Sequence, residues 1–171
     1  MKKKIIVGNW KMNPTNLLDA KKIVSSVNKL STKLNNTDVV LCPPFIYLPK
    51  LVSNKKNSNV SFGAQNSYSE ERGSYTGEIS PTMLKEFGAK YVIIGHSERR
   101  AMGETDEIVS KKIALAIDIG LKPILCVGES EHDSQGVYLD TLKNQIKMSL
   151  DKVQKKYISE IIIAYEPIWA I

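Results

Sequence analysis

The chain has 171 residues, 42% of them hydrophobic and 25% charged, a balance that fits one folded domain over residues 1–171 and excludes a disordered or collagen-like chain. No apolar stretch approaches the roughly 18 residues of a spanning helix, and the basic start Met1-Lys2-Lys3-Lys4 leads into too short an apolar run for an export signal, so a cytoplasmic location without membrane contact is expected. The net charge of +6 is one-sided, +9 over residues 1–60 and −3 beyond, and it is almost all scattered lysine without Arg clusters or interleaved aromatics, so a solvated face is expected and no nucleic-acid partner.

The first predicted strand is Ile5-Ile6-Val7, which runs into Gly8-Asn9-Trp10-Lys11-Met12-Asn13. A segment of helical period follows, from Leu17-Leu18 through Ile23-Val24, Val27, Leu30 and Leu34, with Lys21-Lys22, Lys29 and Lys33 on its surface; Lys55-Lys56 lies further on. Val39-Val40-Leu41-Cys42 and Val60-Ser61-Phe62-Gly63-Ala64 are the next strands. Ser80-Pro81 opens a helix, serine as N-cap and proline at the first helical position, where its missing N–H costs nothing. After Tyr91-Val92-Ile93-Ile94 come a helical turn at Ser97 and a helix carrying Val109, Ile113 and Ile117. Pro123-Ile124-Leu125-Cys126-Val127, a helix with Leu139, Leu142, Ile146, Leu150 and Val153, and Ile161-Ile162-Ile163-Ala164-Tyr165 complete the series. The strands are rich in β-branched residues and do not alternate with polar ones, the pattern of strands covered on both faces of a parallel sheet. Cys42 and Cys126, each inside such a run, are expected to be buried, reduced thiols.

Six βα units imply a parallel sheet with helices outside, either an open doubly wound sheet or a closed barrel. Neither G-x-G-x-x-G nor G-x-x-x-x-G-K-[ST] follows the first strand, while barrel closure ordinarily takes eight strands and about 250 residues. In both architectures ligands meet the C-terminal ends of the strands. Those ends carry Asn9 and Lys11, Gln65 and Asn66, His96-Ser97-Glu98, Glu129, and Glu166. Gln65 or Glu129 alone is as well explained by the start of a loop. Glu166 sits between Ile161-Ile162-Ile163-Ala164-Tyr165 and Pro167-Ile168-Trp169, where desolvation would raise its carboxyl toward a useful general base; a structural ion pair is the alternative. His96, at the start of a helical turn, is expected to stay neutral and donate a hydrogen bond, whereas His132 reads as a surface loop residue. No metal is expected, because no second histidine or thiolate lies at ligand spacing, and no G-x-S-x-G elbow marks a serine hydrolase.

The chain resembles the triosephosphate isomerase family. Gly8-Asn9-Trp10-Lys11-Met12-Asn13, Gly63-Ala64-Gln65-Asn66, Gly95-His96-Ser97-Glu98-Arg99-Arg100, Cys126-Val127-Gly128-Glu129 and Ala164-Tyr165-Glu166-Pro167-Ile168-Trp169 are similar to that family's motifs, in its order and spacing. The resemblance implies the (β/α)8 barrel fold, here as about six strands with outer helices. It also implies a cofactor-free, cytoplasmic enzyme of glycolysis and gluconeogenesis that interconverts dihydroxyacetone phosphate and glyceraldehyde 3-phosphate through an enediolate. Glu166 would be the catalytic base, His96 the proton donor and Lys11 the charge that stabilises the intermediate. Asn9 and Lys11 would bind the phosphorylated triose, with Ser97 and Glu98 in support, Glu98 by pairing with Lys11. It implies a homodimer of the full-length protein as well, with Gln65, Tyr75, Thr76, Glu78 and Arg99 at the interface; Tyr75 stands where the family commonly has phenylalanine. The stretch from Ser130 to Gly136 is shorter and less basic than the family's usual one.

The family continues past the position of Ile171 with a lid and two further βα units, so the chain is expected to be a triosephosphate isomerase sequence cut off at its sixth strand. The competing expectations are a non-catalytic fragment or phosphate-ligand binding module, and a lysine-rich nucleic-acid binder. Without a lid, water would reach the enediolate; without the last two units, the sixth strand would present an open edge.

Overall fold

The computed structural model describes residues 3–53 and 59–171. Lys55-Lys56 and the first two residues of the basic start lie outside the described residues. Six strands, β1 (Lys4–Asn9), β2 (Thr37–Cys42), β3 (Val60–Ala64), β4 (Tyr91–Ile94), β5 (Lys122–Val127) and β6 (Ile162–Tyr165), form one parallel sheet in sequential order. The helices between them are α1 (Leu17–Ser31), α2 (Leu48–Val52), α3 (Pro81–Glu86), α4 (Ser97–Ala101), α5 (Asp106–Ile119) and α6 (Val137–Ser149). This is the sequential order of a (β/α)8 barrel, carried through six of its eight strands.

The period of two in the strands divides the core into two layers. Val39, Leu41, Phe62, Val92, Ile94 and Leu125 point outward and pack against Ala20 of α1, Leu48 and Leu51 of α2, and Val109, Ile113 and Ala116 of α5. Their neighbours Val40, Cys42, Tyr91, Ile93, Ile124 and Cys126 point inward and meet Val7, Ile162 and Ala164. Burial pushes both inner thiols up to about 12, so Cys42 and Cys126 stay protonated, and neither is in a disulfide.

Local chemistry starts the helices where the sequence signals. Ser80 Oγ accepts from Met83 N at 3.2 Å with Pro81 at the first helical position, Asn16 Oδ1 accepts from Asp19 N, and Thr105 Oγ1 from Ile108 N. At α6 the carboxylate of Asp133 takes the N–H groups of Gln135, Val137 and Tyr138. Lys21, Lys22, Lys29 and Lys33 are exposed, and Lys22 pairs with Asp19. No helix among the described residues is long and apolar enough to cross a membrane.

Burial on both faces holds for β2 to β5 but not for the outer two strands. In β1, Ile6 is 53% exposed, and in β6, Ile163 is 45% exposed. Among the described residues no pairing joins β1 to β6, so each has a sheet neighbour on one side only.

Candidate active site

The ends of β1, β3 and β4 gather at one mouth, and Glu166, after β6, does not line it but reaches its edge through His96 and Ser97. There a cleft of about 320 Å³ is lined by Asn9, Lys11, Gln65, Asn66, His96 and Glu98, with the 77–79 segment and Arg99 at its side. Lys11 follows β1 with a left-handed backbone, φ 53°, held by two contacts: its N–H donates to Asn9 Oδ1 at 3.0 Å and its carbonyl accepts from Gln65 Nε2 at 2.8 Å. The same Gln65 amide donates to Cys42 O at 2.8 Å, tying the ends of β1, β2 and β3 together. Lys11 Nζ lies 2.9 Å from Glu98 Oε1, and this hydrogen bond holds the Glu98 carboxyl below the usual carboxylate range.

His96 is buried at the start of α4. Its Nδ1 accepts the Glu98 N–H at 3.2 Å, so that nitrogen carries no proton and the ring is neutral with its hydrogen on Nε2. Nε2 faces Glu166 Oε2 at 3.3 Å. The other carboxylate oxygen, Oε1, accepts from Ser97 N at 2.7 Å. The apolar seat expected for Glu166 is therefore corrected: each oxygen has a polar partner, because the turn from β4 into α4 lies against the end of β6. Glu166 N in turn donates to Val127 O at 2.8 Å, which fixes this residue to β5.

Glu129 stands apart from the cleft lining. Its side chain is buried, and Oε1 accepts from Trp169 Nε1 at 2.8 Å and Tyr165 OH at 2.9 Å, with His132 Nδ1 at 3.2 Å. Burial by itself raises this carboxyl, but the hydrogen bonds from Trp169, its local backbone, Tyr165 and His132 outweigh it and hold it at about 2. His132 is exposed, as its sequence context indicates, yet its ring stacks on Tyr138 at 3.9 Å and meets the edge of Trp169 at 5.3 Å. Glu129 thus anchors the chain on both sides of Glu166. A carboxyl lower in the folded than in the unfolded state stabilises fully above the unfolded value of 4.5, and that contribution is lost as pH falls toward 2. In a Trp10→Phe, His132→Gln background, which removes the imidazole beside the reporter, Trp169 fluorescence is expected to stay flat from neutral pH to 4.5 and to change only below it. A transition already complete at 4.5 would contradict this anchor.

Ser97, read from the sequence as a supporting residue, acts through its backbone N–H, which no side-chain pattern reveals. One group escaped the sequence reading. Lys112 is buried beside Glu104 and donates to Asn66 Oδ1 at 2.9 Å. Its signal was available: Lys112 lies three residues after Val109 and four before Ala116, on the inward stripe of α5.

The sequence model of the family described as triosephosphate isomerase matches residues 4–171. The chain belongs to the triosephosphate isomerase family. A triosephosphate isomerase of Clostridium botulinum (strain Loch Maree / Type A3) is 49% identical over 173 aligned residues, covering 100% of this chain and 69% of that relative. One of Acetivibrio thermocellus is 48% identical, over 99% of this chain and 68% of the relative. One of Dehalococcoides mccartyi (strain ATCC BAA-2100) is 49% identical, over 100% and 66%. The match to the triosephosphate isomerases takes in all six strands and every residue of the mouth.

Proposed function

We propose that this chain carries the acid–base centre of a triosephosphate isomerase, interconverting dihydroxyacetone phosphate and D-glyceraldehyde 3-phosphate. The observation that carries the reading is the facing pair of Glu166 Oε2 and a neutral His96 Nε2–H, 3.3 Å apart, beside a lysine held by its own carboxylate. Glu166 gives up the Ser97 N–H, takes the proton from the carbon next to the substrate carbonyl, and returns it to the neighbouring carbon. His96 donates from Nε2 to the carbonyl oxygen and recovers a proton from the adjacent hydroxyl, so the enediolate forms and collapses without net loss of protons. Lys11, with Asn9, supplies positive charge and a donor to the anionic substrate. A glutamate base beside a neutral histidine is the pairing already known for the triosephosphate isomerases. No cofactor takes part, and the reaction belongs to cytoplasmic glycolysis and gluconeogenesis.

A coupled isomerase assay tests this, on the 171-residue chain and on a version extended with a C-terminal segment from a relative. Turnover in the extended version is expected. Turnover in neither would reject the isomerase reading and leave a module that binds phosphorylated ligands.

The same reading includes a homodimer. Residues 65–79 project Tyr75, Thr76 and Glu78 to solvent, with Arg99 alongside the cleft. Next to them an apolar groove of about 230 Å³ is lined by Phe45, Ile46, Pro49, Ile79, Met83 and Phe87, and Ile46 is 64% exposed. An exposed apolar groove continuous with the site's own wall fits the loop of a second copy. Met83→Glu is expected to convert a dimer to a monomer in sedimentation; a wild-type chain that sediments as a monomer at micromolar concentration would contradict the dimer.

A further inference from the structure

The peptide that presents His96 is clamped from two sides. Gly95 leaves β4 with φ +74°, and a Cβ there would lie 3.0 Å from Arg100 Nη2 and 3.2 Å from Val109 Cγ2, so only glycine fits. Its carbonyl accepts from Arg100 Nε at 2.7 Å and its N–H donates to Glu104 Oε2 at 3.1 Å. Neither side chain is free to drift. Arg100 Nη1 donates to Asp106 Oδ1 at 2.6 Å, while Nη2 lies 3.5 Å from Cys126 O and 3.4 Å from Ser149 Oγ, a hydroxyl that itself donates to Asp106. Glu104 is held by buried Lys112.

We propose that Arg100 is a positioning residue for the isomerisation: through the Gly95 carbonyl it fixes the direction in which His96 Nε2 meets Glu166 and the reacting oxygens. The inference rests on the assignment of His96 and Glu166 as acid and base. Arg100 does not itself line the cleft; its guanidinium acts through the peptide before His96, while its backbone N–H donates to His96 O at 3.0 Å, a bond that any residue at this position keeps. Its planar guanidinium reaches Gly95 O, Asp106 and the β5 carbonyl with three separate nitrogens; lysine has three donors but on one nitrogen, a single point that cannot reproduce this spread. Loss of the clamp leaves φ of Gly95 free to vary, and a glycine peptide transmits that freedom directly to the next side chain.

The test uses 15N-histidine nuclear magnetic resonance on the 171-residue chain, where His96 and His132 give the only imidazole signals, assigned with His132→Gln. In Arg100→Lys the His96 ring nitrogens are expected to move toward averaged tautomers, while those of His132 stay in place. In the form that turns over in the coupled assay, kcat is expected to fall about 10- to 100-fold with KM within about twofold, the signature of a displaced group and not of lost binding. Asp106→Asn, which loosens the anchor but keeps Arg100, is expected to give a smaller effect of the same kind. Unchanged His96 signals in folded Arg100→Lys would overturn the proposal. So would unfolding of both variants, which would assign Arg100 to stability alone. Absence of turnover in the unaltered protein would reject the isomerase reading, and the His96 signals would still decide the geometry.

Discussion

Glu166→Gln is expected to lower kcat by about 10²- to 10⁴-fold, the range that a positioned general base contributes, with little change in KM. The amide is nearly the same size as the carboxylate, so packing at the end of β6 survives. Its chemistry does not. A carboxylate oxygen takes the Ser97 N–H at 2.7 Å while the other faces His96 Nε2 at 3.3 Å, and an amide has one oxygen for these two donors. One of them is left opposite an NH₂ group, and a donor left without its acceptor costs about 1–3 kcal/mol of stability. Glu166→Asp keeps the base but retracts it by one methylene, roughly 1 Å, enough to cost about 10²-fold in rate. Equal rates for Glu166→Gln and the unaltered protein would remove this residue from the mechanism.

The second large effect is expected from a residue that carries no chemistry. A Cβ on Gly128 would lie 2.0 Å from Glu166 O, 2.7 Å from its carbonyl carbon and 3.2 Å from Pro167 N. Those atoms are backbone and cannot rotate away, so Gly128→Ala must push the end of β6 outward. The displacement falls on the residue whose N–H closes the β5–β6 ladder to Val127 O. Overpacking of this kind costs about 1–3 kcal/mol, and a base displaced by roughly 1 Å loses about 10²-fold in rate. Thermal unfolding and kcat measured together would check both; a variant with the melting temperature and kcat of the unaltered protein would contradict the close approach.

How far these features were legible in the sequence differs by level. The runs that became β2 to β5 are apolar on both faces because both faces are covered, and the sequence pattern states this directly. The runs at β1 and β6 are equally apolar, yet Ile6 and Ile163 are about half exposed, since hydrophobicity does not reveal which strand has a neighbour on each side. At the site, Lys11, His96, Glu98 and Glu166 were readable because each follows an apolar run at a strand end. Glu129 follows one too, but its buried carboxylate turns to Trp169 and Tyr165 and serves the chain around Glu166 from outside the cleft. The clamp on Gly95 was not readable. Arg100 and Glu104 lie in a polar stretch, and only the three-dimensional turn shows that one meets the carbonyl and the other the N–H of the same residue.

The central claim is that Glu166 moves a proton between adjacent carbons through an enediolate, and turnover in deuterium oxide tests it most directly. In the extended version of the chain, product is expected to carry solvent deuterium at the carbon next to the carbonyl, with Glu166→Gln slowing incorporation and isomerisation together. Isomerisation without deuterium uptake at that carbon, at a rate unaffected by Glu166→Gln, would contradict it.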